Sequence, residues 1–383
     1  MDFRLSDEQR LLSDTARRMA TETLFPQLHE LPETPVPHER LVRLFGLVEP
    51  LGVLGARVPE EMGGSGLSCL EYGLVMEQLP PVLAVAVQAH EGTASRIALG
   101  GDDDQRREFL PRLLNGTAIA ATATSEPEVG SDPRAVAALA ESTGTGFRLS
   151  GRKLWVTNGT VADLLMVVAR LRRADGTVET GRLLLDRAVS PFETREVEAI
   201  GLRQGHLAEV TLDAVPVPAR NEIRDAGRFH QQMTRTWLAN RAMLGLIGAG
   251  IARRALDASV RYARERKQFG AVIGSYQLVQ ELIVQIAMAA DIGQLLAYRA
   301  LSMIDDGGWP HAETSMAKLY GTDAAVRACS LAIEVHGSYG LTVEYGLERM
   351  LRDARMLGFP DGTRQVQQLI IGRELLGIRA FRH

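Results

Sequence analysis

The chain has 383 residues, 45% of them hydrophobic and 23% charged, with a formal net charge of -4. That length allows two or three domains around a large core, and the mildly acidic balance gives no reason to expect nucleic acid or an anionic membrane as a partner. Two cysteines, Cys69 and Cys329, stand far apart without His or Cys at ligand spacing, so neither a disulfide framework nor a metal site is suggested, and a cytoplasmic setting is expected. The opening MDFRLSDEQRLLSDTARRM is charged and amphipathic, without the apolar core of a signal peptide, and no run of ~18 apolar residues predicts a membrane-spanning helix.

Residues 1–118 read as helical. Ser6 and Gln9 have the spacing of a capping box, and Leu11, Leu12, Thr15 and Met19 follow on one face. EEMGGSG at 60–66 is a flexible connection before two further helix-like segments. Glu91 stands alone in the second, which is Ala-rich; a lone Glu there reads as a solvated edge or as a carboxylate inside a pocket. His90 beside it receives no role.

Between 119 and 225 the texture changes to short Val- and Thr-rich runs broken by Gly, Asp and Ser, which predicts a small β barrel or sandwich. Within it, ATATSEPEVGSD carries several hydroxyls ahead of a turn. Trp155 precedes Thr157 and Asn158; a strand Trp reads as core, or as a platform on a flat ring whose edge its neighbours bond.

From 226 to 383 the helical period returns. Leu278, Leu282, Ile286, Ala289 and Gly293 form a stripe, and the small residues of LGLIGAGIARRALDA at 244–258 suit close helix packing. GAGIAR within it is not a Rossmann fingerprint, because no strand precedes it and Arg253 replaces the third glycine. RYARERKQFG ends a helix with four cations and Phe269, either a solvated end that suits the helix dipole or an arginine site for a diphosphate. Near the end, Pro360-Asp361-Gly362 forms a tight loop feeding a helix. Thr363 is placed as its N-cap, Gln365 in its first turn, and Val366, Leu369, Ile370 and Arg373 on the face expected to bury. Asp361 is ordinary turn and cap chemistry, or a loop base on a rigid support.

Eight motifs in this order resemble the acyl-CoA dehydrogenase family over essentially the whole chain: FRLSDEQ near the start, PEEMGGSG at 59–66, TSEPEVGSD at 124–132, GRKLWVTNG at 151–159, RYARERKQFG at 261–270 with Gln277 after it, VHGSYG at 335–340, RMLRDAR at 349–355 and DGTRQVQQLIIGREL from 361. The resemblance implies a mainly α fold with an N-terminal helical domain at 1–118, a middle β domain at 119–225 and a C-terminal four-helix bundle at 226–383. It also implies non-covalent FAD and a homotetramer, usually a dimer of dimers.

The resemblance implies roles as well. Thr122, Thr124, Ser125 and Ser131 would line the flavin and the thioester end of the ligand. Trp155 would cover the flavin ring and Thr157 would reach its N5 side. Arg266, Gln268, Phe269 and Gln277 would contact the FAD of a neighbouring subunit, as would Glu334, Gly337 and Ser338. Thr363 and Gln365 would bind the chain's own FAD at a helix N-terminus. Arg241 matches the family arginine near the active site, with Leu238 at a position that meets the pantetheine arm and Glu91 toward the far end of the acyl pocket. Asp361 would take the α proton while the β hydride passes to flavin N5, leaving a 2-enoyl thioester.

The departures bear on chemistry. The family base is usually Glu in a Glu-Gly-Thr run; Asp361 is one methylene shorter and reaches roughly 1.3–1.5 Å less far. The branch that carries its Glu just before the arginine has Asn240 here, so no base stands there. Glu128 replaces a family Gly, Glu334 a loop glutamine and Leu238 an acidic residue. The implied substrate is an acyl-CoA or an acyl group on a carrier protein, since both present phosphopantetheine, with an electron-transferring flavoprotein or another acceptor. Two other functions fit the same pieces: a flavin oxidase resembling nitroalkane oxidase, where an Asp acts at this position, and a non-catalytic binding homologue.

Overall fold

A computed structural model describes residues 4–224, 229–378 and 380. The expected junction at 225–226, and Phe3 of the first motif, lie outside the described residues.

Helix α1 (Asp7–Met19) starts as the spacing predicts: the Ser6 hydroxyl accepts from the Gln9 N–H and the Gln9 side chain accepts from the Ser6 N–H. A π turn leads into α2 (Phe25–His29), followed by α3 (His38–Val48), α4 (Cys69–Met76), α5 (Pro81–Gly100) and α6 (Asp103–Leu114).

The strands are β1 (Ala120–Ala123), β2 (Leu139–Ser142), β3 (Gly146–Thr157), β4 (Leu164–Arg172), β5 (Val178–Asp186), β6 (Glu193–Glu196), β7 (Leu207–Pro218) and β8 (Glu222–Ile223). They run β6-β7-β3-β2-β4-β5-β8, with β1 parallel to β4. The period of two assigns the faces of β1. Ala121 and Ala123 enter the β core, whereas Ala120 packs with Ala94 and Ile97 of α5 and the Thr122 hydroxyl bonds Thr93 on the same helix.

Helix α7 (Phe229–Glu265) opens the last region. A two-strand hairpin follows, β9 (Lys267–Gln268) with β10 (Ala271–Val272), then α8 (Gln277–Asp305), α9 (His311–His336), α10 (Leu347–Met356) and α11 (Arg364–Leu376). One continuous apolar core joins α7, α8, α9 and α10 to α1, α3 and α4. The small residues expected to pack closely do so: a Cβ on Gly245 of α7 would stand 2.3 Å from the Ala317 carbonyl of α9, and one on Gly321 would stand 2.4 Å from the Gly245 carbonyl. GAGIAR lies inside α7, with no strand leading into it.

By length and composition α8 is apolar enough to cross a membrane, although no run in it is wholly apolar. It packs between α7 and α9, burying Ile286, Ala290, Gly293 and Ala297 and leaving Leu278, Val284, Met288 and Leu295 exposed.

The backbone contact between α7 and α9 has a direct test. Gly245→Val should destabilise the protein by roughly 1–3 kcal/mol through overpacking, read as a lower urea midpoint; an unchanged midpoint would mean that the helices separate freely.

Candidate functional site

The Pro360–Gly362 loop is held by its carbonyls. Lys318, buried on α9, donates to the carbonyls of both Pro360 and Gly362. Arg241 of α7 donates through Nε to the Asp361 carbonyl at 3.2 Å. Gln367, fully buried on α11, donates to the Asp361 carbonyl at 3.2 Å and the Gly362 carbonyl at 2.8 Å. Three helices thus fix three consecutive peptide groups that belong to no regular element. Asp361 itself sits at φ 53°, a left-handed conformation that a non-glycine residue adopts at a cost. Thr363 is the N-cap of α11, its hydroxyl accepting from the Val366 N–H.

The expected burial of Val366, Leu369, Ile370 and Arg373 needs correction. Within this chain Gln367 is the buried residue of α11 and Leu369 is 41% exposed. The helix is anchored by Gln367 bonding back to the loop.

Cations surround the loop. Burial lowers Lys318 to about 8, with the Asp361 charge pulling it back up. Burial also lowers Arg241, against the same charge from Asp361. Arg96 of α5 is lowered to about 10 by burial and by Arg182, again opposed by Asp361. Arg96 donates to the Thr122 hydroxyl at 3.2 Å, which in turn meets the Thr93 hydroxyl at 2.9 Å, so α5, β1 and the Asp361 loop meet at one place. A narrow cleft there is lined by Arg96, Thr122, Thr124, Val168, Arg182, Met233 and Trp237.

Beside it, β3 carries Trp155. The pairing of β3 with β7 slips between Lys153 and Val156, and Trp155 lies in this bulge at φ 62° with 57% of its surface exposed. A bulge re-aims a side chain, and here it turns a large ring out of the core. Next to it, buried Lys153 donates to the Thr124 carbonyl at 3.0 Å and to Glu126 at 2.7 Å, and the Leu154 N–H donates to the Ser125 carbonyl at 3.0 Å. Burial pushes the Glu126 carboxyl up, but Lys153 and the N–H groups of Ala137 and Ala138 outweigh it and hold the group below its ordinary value. Thr124 and Ser125 are therefore pinned beside Trp155, with Thr157 half-buried at the end of the strand and Ser131 exposed on the following turn.

Three other placements differ from expectation. Glu91 is fully buried, but its oxygens are taken by Arg57 in a bidentate pair and by the Ser95 hydroxyl at 2.6 Å, so it is not a second carboxylate facing a ligand. Leu238 has no exposed surface and packs in the helical core; its neighbour Trp237 faces the cleft instead. Asn158 uses its amide internally, donating to the carbonyls of Ala86 and Ala120 at 2.8 and 3.3 Å.

The remaining predicted residues gather elsewhere. Arg266 stacks over Tyr339, its guanidinium 5.5 Å from the ring, which joins the hairpin after α7 to the Gly337–Leu341 turn after α9. Gln268, Gln277, Glu334 and Ser338 are exposed around it, and Phe269, at φ 52°, is 96% exposed. Twenty-four residues of α7 lie between Arg241 and Arg266, which puts the two on the order of 37 Å apart at about 1.5 Å per residue.

Known proteins share this arrangement. Three family models match consecutive stretches: the N-terminal domain of acyl-CoA dehydrogenase at residues 6–117, the middle domain at 121–215 and the C-terminal domain at 229–376. The chain belongs to the acyl-CoA dehydrogenase family of flavin-dependent oxidoreductases. It is 35% identical to benzylmalonyl-CoA dehydrogenase of Aromatoleum aromaticum over 382 residues, covering 98% of this chain and 100% of that one. The structure of a glutaryl-coenzyme A dehydrogenase in complex with glutaryl-CoA superposes with a TM-score of 0.91 at 29% identity, over 99% of this chain and 98% of that one. The prolyl acyl carrier protein oxidase AnaB superposes with a TM-score of 0.87 at 27% identity, over 98% of this chain and 100% of that one. Similar solved structures include complexes with FAD and FADH2.

Lys318 was not signalled by the sequence, being one lysine in a small-residue helix. Lys318→Met should leave the fold and its flavin in place and slow flavin reduction about 100-fold, the scale of a ~1 Å misplacement. Because burial lowers Lys318 to about 8, from an ordinary 10.5, the unfolded state binds the extra proton between those values. The stability of wild type relative to Lys318→Met should therefore rise with pH across that window. A flat difference in urea midpoint would show that the amine is solvated.

Proposed function

We propose that the protein dehydrogenates an acyl thioester between its α and β carbons, with Asp361 as the base that takes the α proton. The observation that supports this most is the fixed loop: a residue with a carboxylate in left-handed backbone, its loop carbonyls engaged, close enough to Arg96 of the cleft for their charges to interact. An α proton beside a thioester is weakly acidic. Positive groups around the cleft favour the negative charge that develops on the ligand as the proton leaves. Asp361 is shorter than the family Glu, and the loop clamp sets the point from which it reaches.

The residues present fit FAD. Trp155 offers an exposed aromatic face beside Thr157, Ser125 and Thr124, and Ser131, Thr363 and Gln365 are the further hydroxyl and amide groups assigned here to the same flavin. FAD, when bound, supplies the acceptor for the β hydride. The ligand is carried on a phosphopantetheine arm, from coenzyme A or a carrier protein, with Trp237 on the cleft wall where Leu238 was expected.

Arg266, Gln268, Phe269, Gln277, Glu334, Gly337 and Ser338 lie too far along the bundle to serve the same flavin. We infer that they hold the FAD of a neighbouring subunit in a dimer of dimers, for which exposed Phe269, Leu278, Leu341 and Val343 provide apolar surface.

The first experiment is anaerobic stopped-flow of the holoprotein against short, branched, cyclic and aryl acyl-CoAs, followed in the visible flavin band. Bleaching is expected with one class. Asp361→Asn should keep flavin and ligand but stop bleaching; unchanged reduction would remove Asp361 as base. Rapid oxygen consumption during turnover would instead favour an oxidase. Arg266→Ala should yield protein with weakened FAD retention although its own Asp361 loop is intact, and full retention would sink the shared site.

A further inference from the structure

Arg96 is one of the cations that line the cleft, and proton abstraction alone gives it no permanent anion to meet. It lies in the last turns of α5, where its neighbours Ala94, Ile97 and Ala98 pack against the sheet. Moving a guanidinium out of water is costly unless an anion meets it. Arg57, another arginine set against this helix, is met by Glu91. For Arg96, no carboxylate among the described residues lies within ion-pair distance. Its partners are two neutral oxygens, the Gly92 carbonyl at 3.0 Å and the Thr122 hydroxyl at 3.2 Å. The cleft it lines also receives Arg182 from β5, so two guanidinium groups converge on one space with apolar walls from Val168, Met233 and Trp237.

We propose that the acyl group of the substrate carries a carboxylate, bound by Arg96, so that the protein acts on a mono-thioester of a dicarboxylic acid rather than on a plain alkanoyl thioester. The inference rests on the acyl-thioester reading and names its substrate class. Arg96 is close enough to Asp361 for their charges to interact, so the anion it receives lies near the reacting carbons. The phosphate of the pantetheine arm is a poorer candidate. More than ten covalent bonds of about 1.5 Å separate it from the thioester, on the order of 15 Å in all. Apolar walls strengthen the pairing by excluding water. Arg in place of Lys suits a planar, bidentate carboxylate contact.

The test separates binding from chemistry. Asp361→Asn holoprotein is titrated with succinyl-, glutaryl- and adipyl-CoA and with butyryl-, pentanoyl- and hexanoyl-CoA, reading dissociation constants from the flavin band. Wild type is mixed with the same six thioesters and followed for bleaching. At least one acid should bind about tenfold or more tighter than the neutral thioester of equal carbon number. Adding Arg96→Gln should bring that ratio below about twofold, whereas Arg96→Lys should keep a clear preference for the acid. The S-acyl pantetheines, which lack phosphate, should show the same preference; its loss there would reassign the anion to the arm and overturn the proposal. Ratios within twofold for every pair, or a ratio that Arg96→Gln leaves unchanged, would overturn it too. A preference for acids without bleaching by any thioester would keep the carboxylate and remove the dehydrogenation; bleaching by neutral thioesters without a preference would do the reverse.

Discussion

Three buried donors hold three successive carbonyls, and the candidate site depends on them. Lys318, Arg241 and Gln367 reach the Pro360–Gly362 loop from α9, α7 and α11. Each donor would be costly to bury without an acceptor, and each carbonyl of an irregular loop would be costly to bury without a donor. The two needs are met by one another. The result is a carboxylate whose backbone is held as firmly as if it belonged to a helix. The donors can do this only because α7 and α9 approach until backbone touches backbone at Gly245 and Gly321.

Charge is used in two ways around the cleft. Arg57 with Glu91, and Lys153 with Glu126, are closed pairs whose function is geometric: one braces α5 against the segment after α3, the other pins Thr124 and Ser125 beside Trp155. Arg96, Arg241 and Lys318 are instead bonded to neutral oxygens, and the charge they share is that of Asp361. The distinction lies in partners, not in burial, because both kinds of group are withdrawn from water.

Much of the architecture was legible in the sequence because period and punctuation report local structure. The Ser6–Gln9 box, the alternating runs of the β region, the small-residue stretch of α7 and Thr363 as a cap are local signals. The motifs carried the family. The site was less legible because its contacts are not local. Glu91 read as a candidate pocket carboxylate since its partner, Arg57, lies on a different element. Leu238 and Trp237 are adjacent, and only the rotation of α7 decides which of them faces the cleft. Lys318, Gln367 and Arg96 are single polar residues in helices, with nothing in their spacing to distinguish them. The positive φ of Trp155, Phe269 and Asp361, three of the six such non-glycine positions among the described residues, leaves no mark on composition.

The contact between Gly245 and Gly321 also limits how this scaffold can vary. Two helices in backbone contact have no side chains to trim and no distance to lose, so α7 and α9 cannot be moved apart or together without disturbing the carbonyl clamp they support. Change in what the cleft accepts must come from side chains, either Met233 and Trp237 on α7 or those of the opposite wall, where α5 and the sheet meet. On that wall an exchange at position 96, 122 or 182 alters size and charge while leaving the loop untouched. The molecule therefore has a backbone-fixed loop on one side of the cleft and a side-chain wall on the other, and the second can be altered without moving the first.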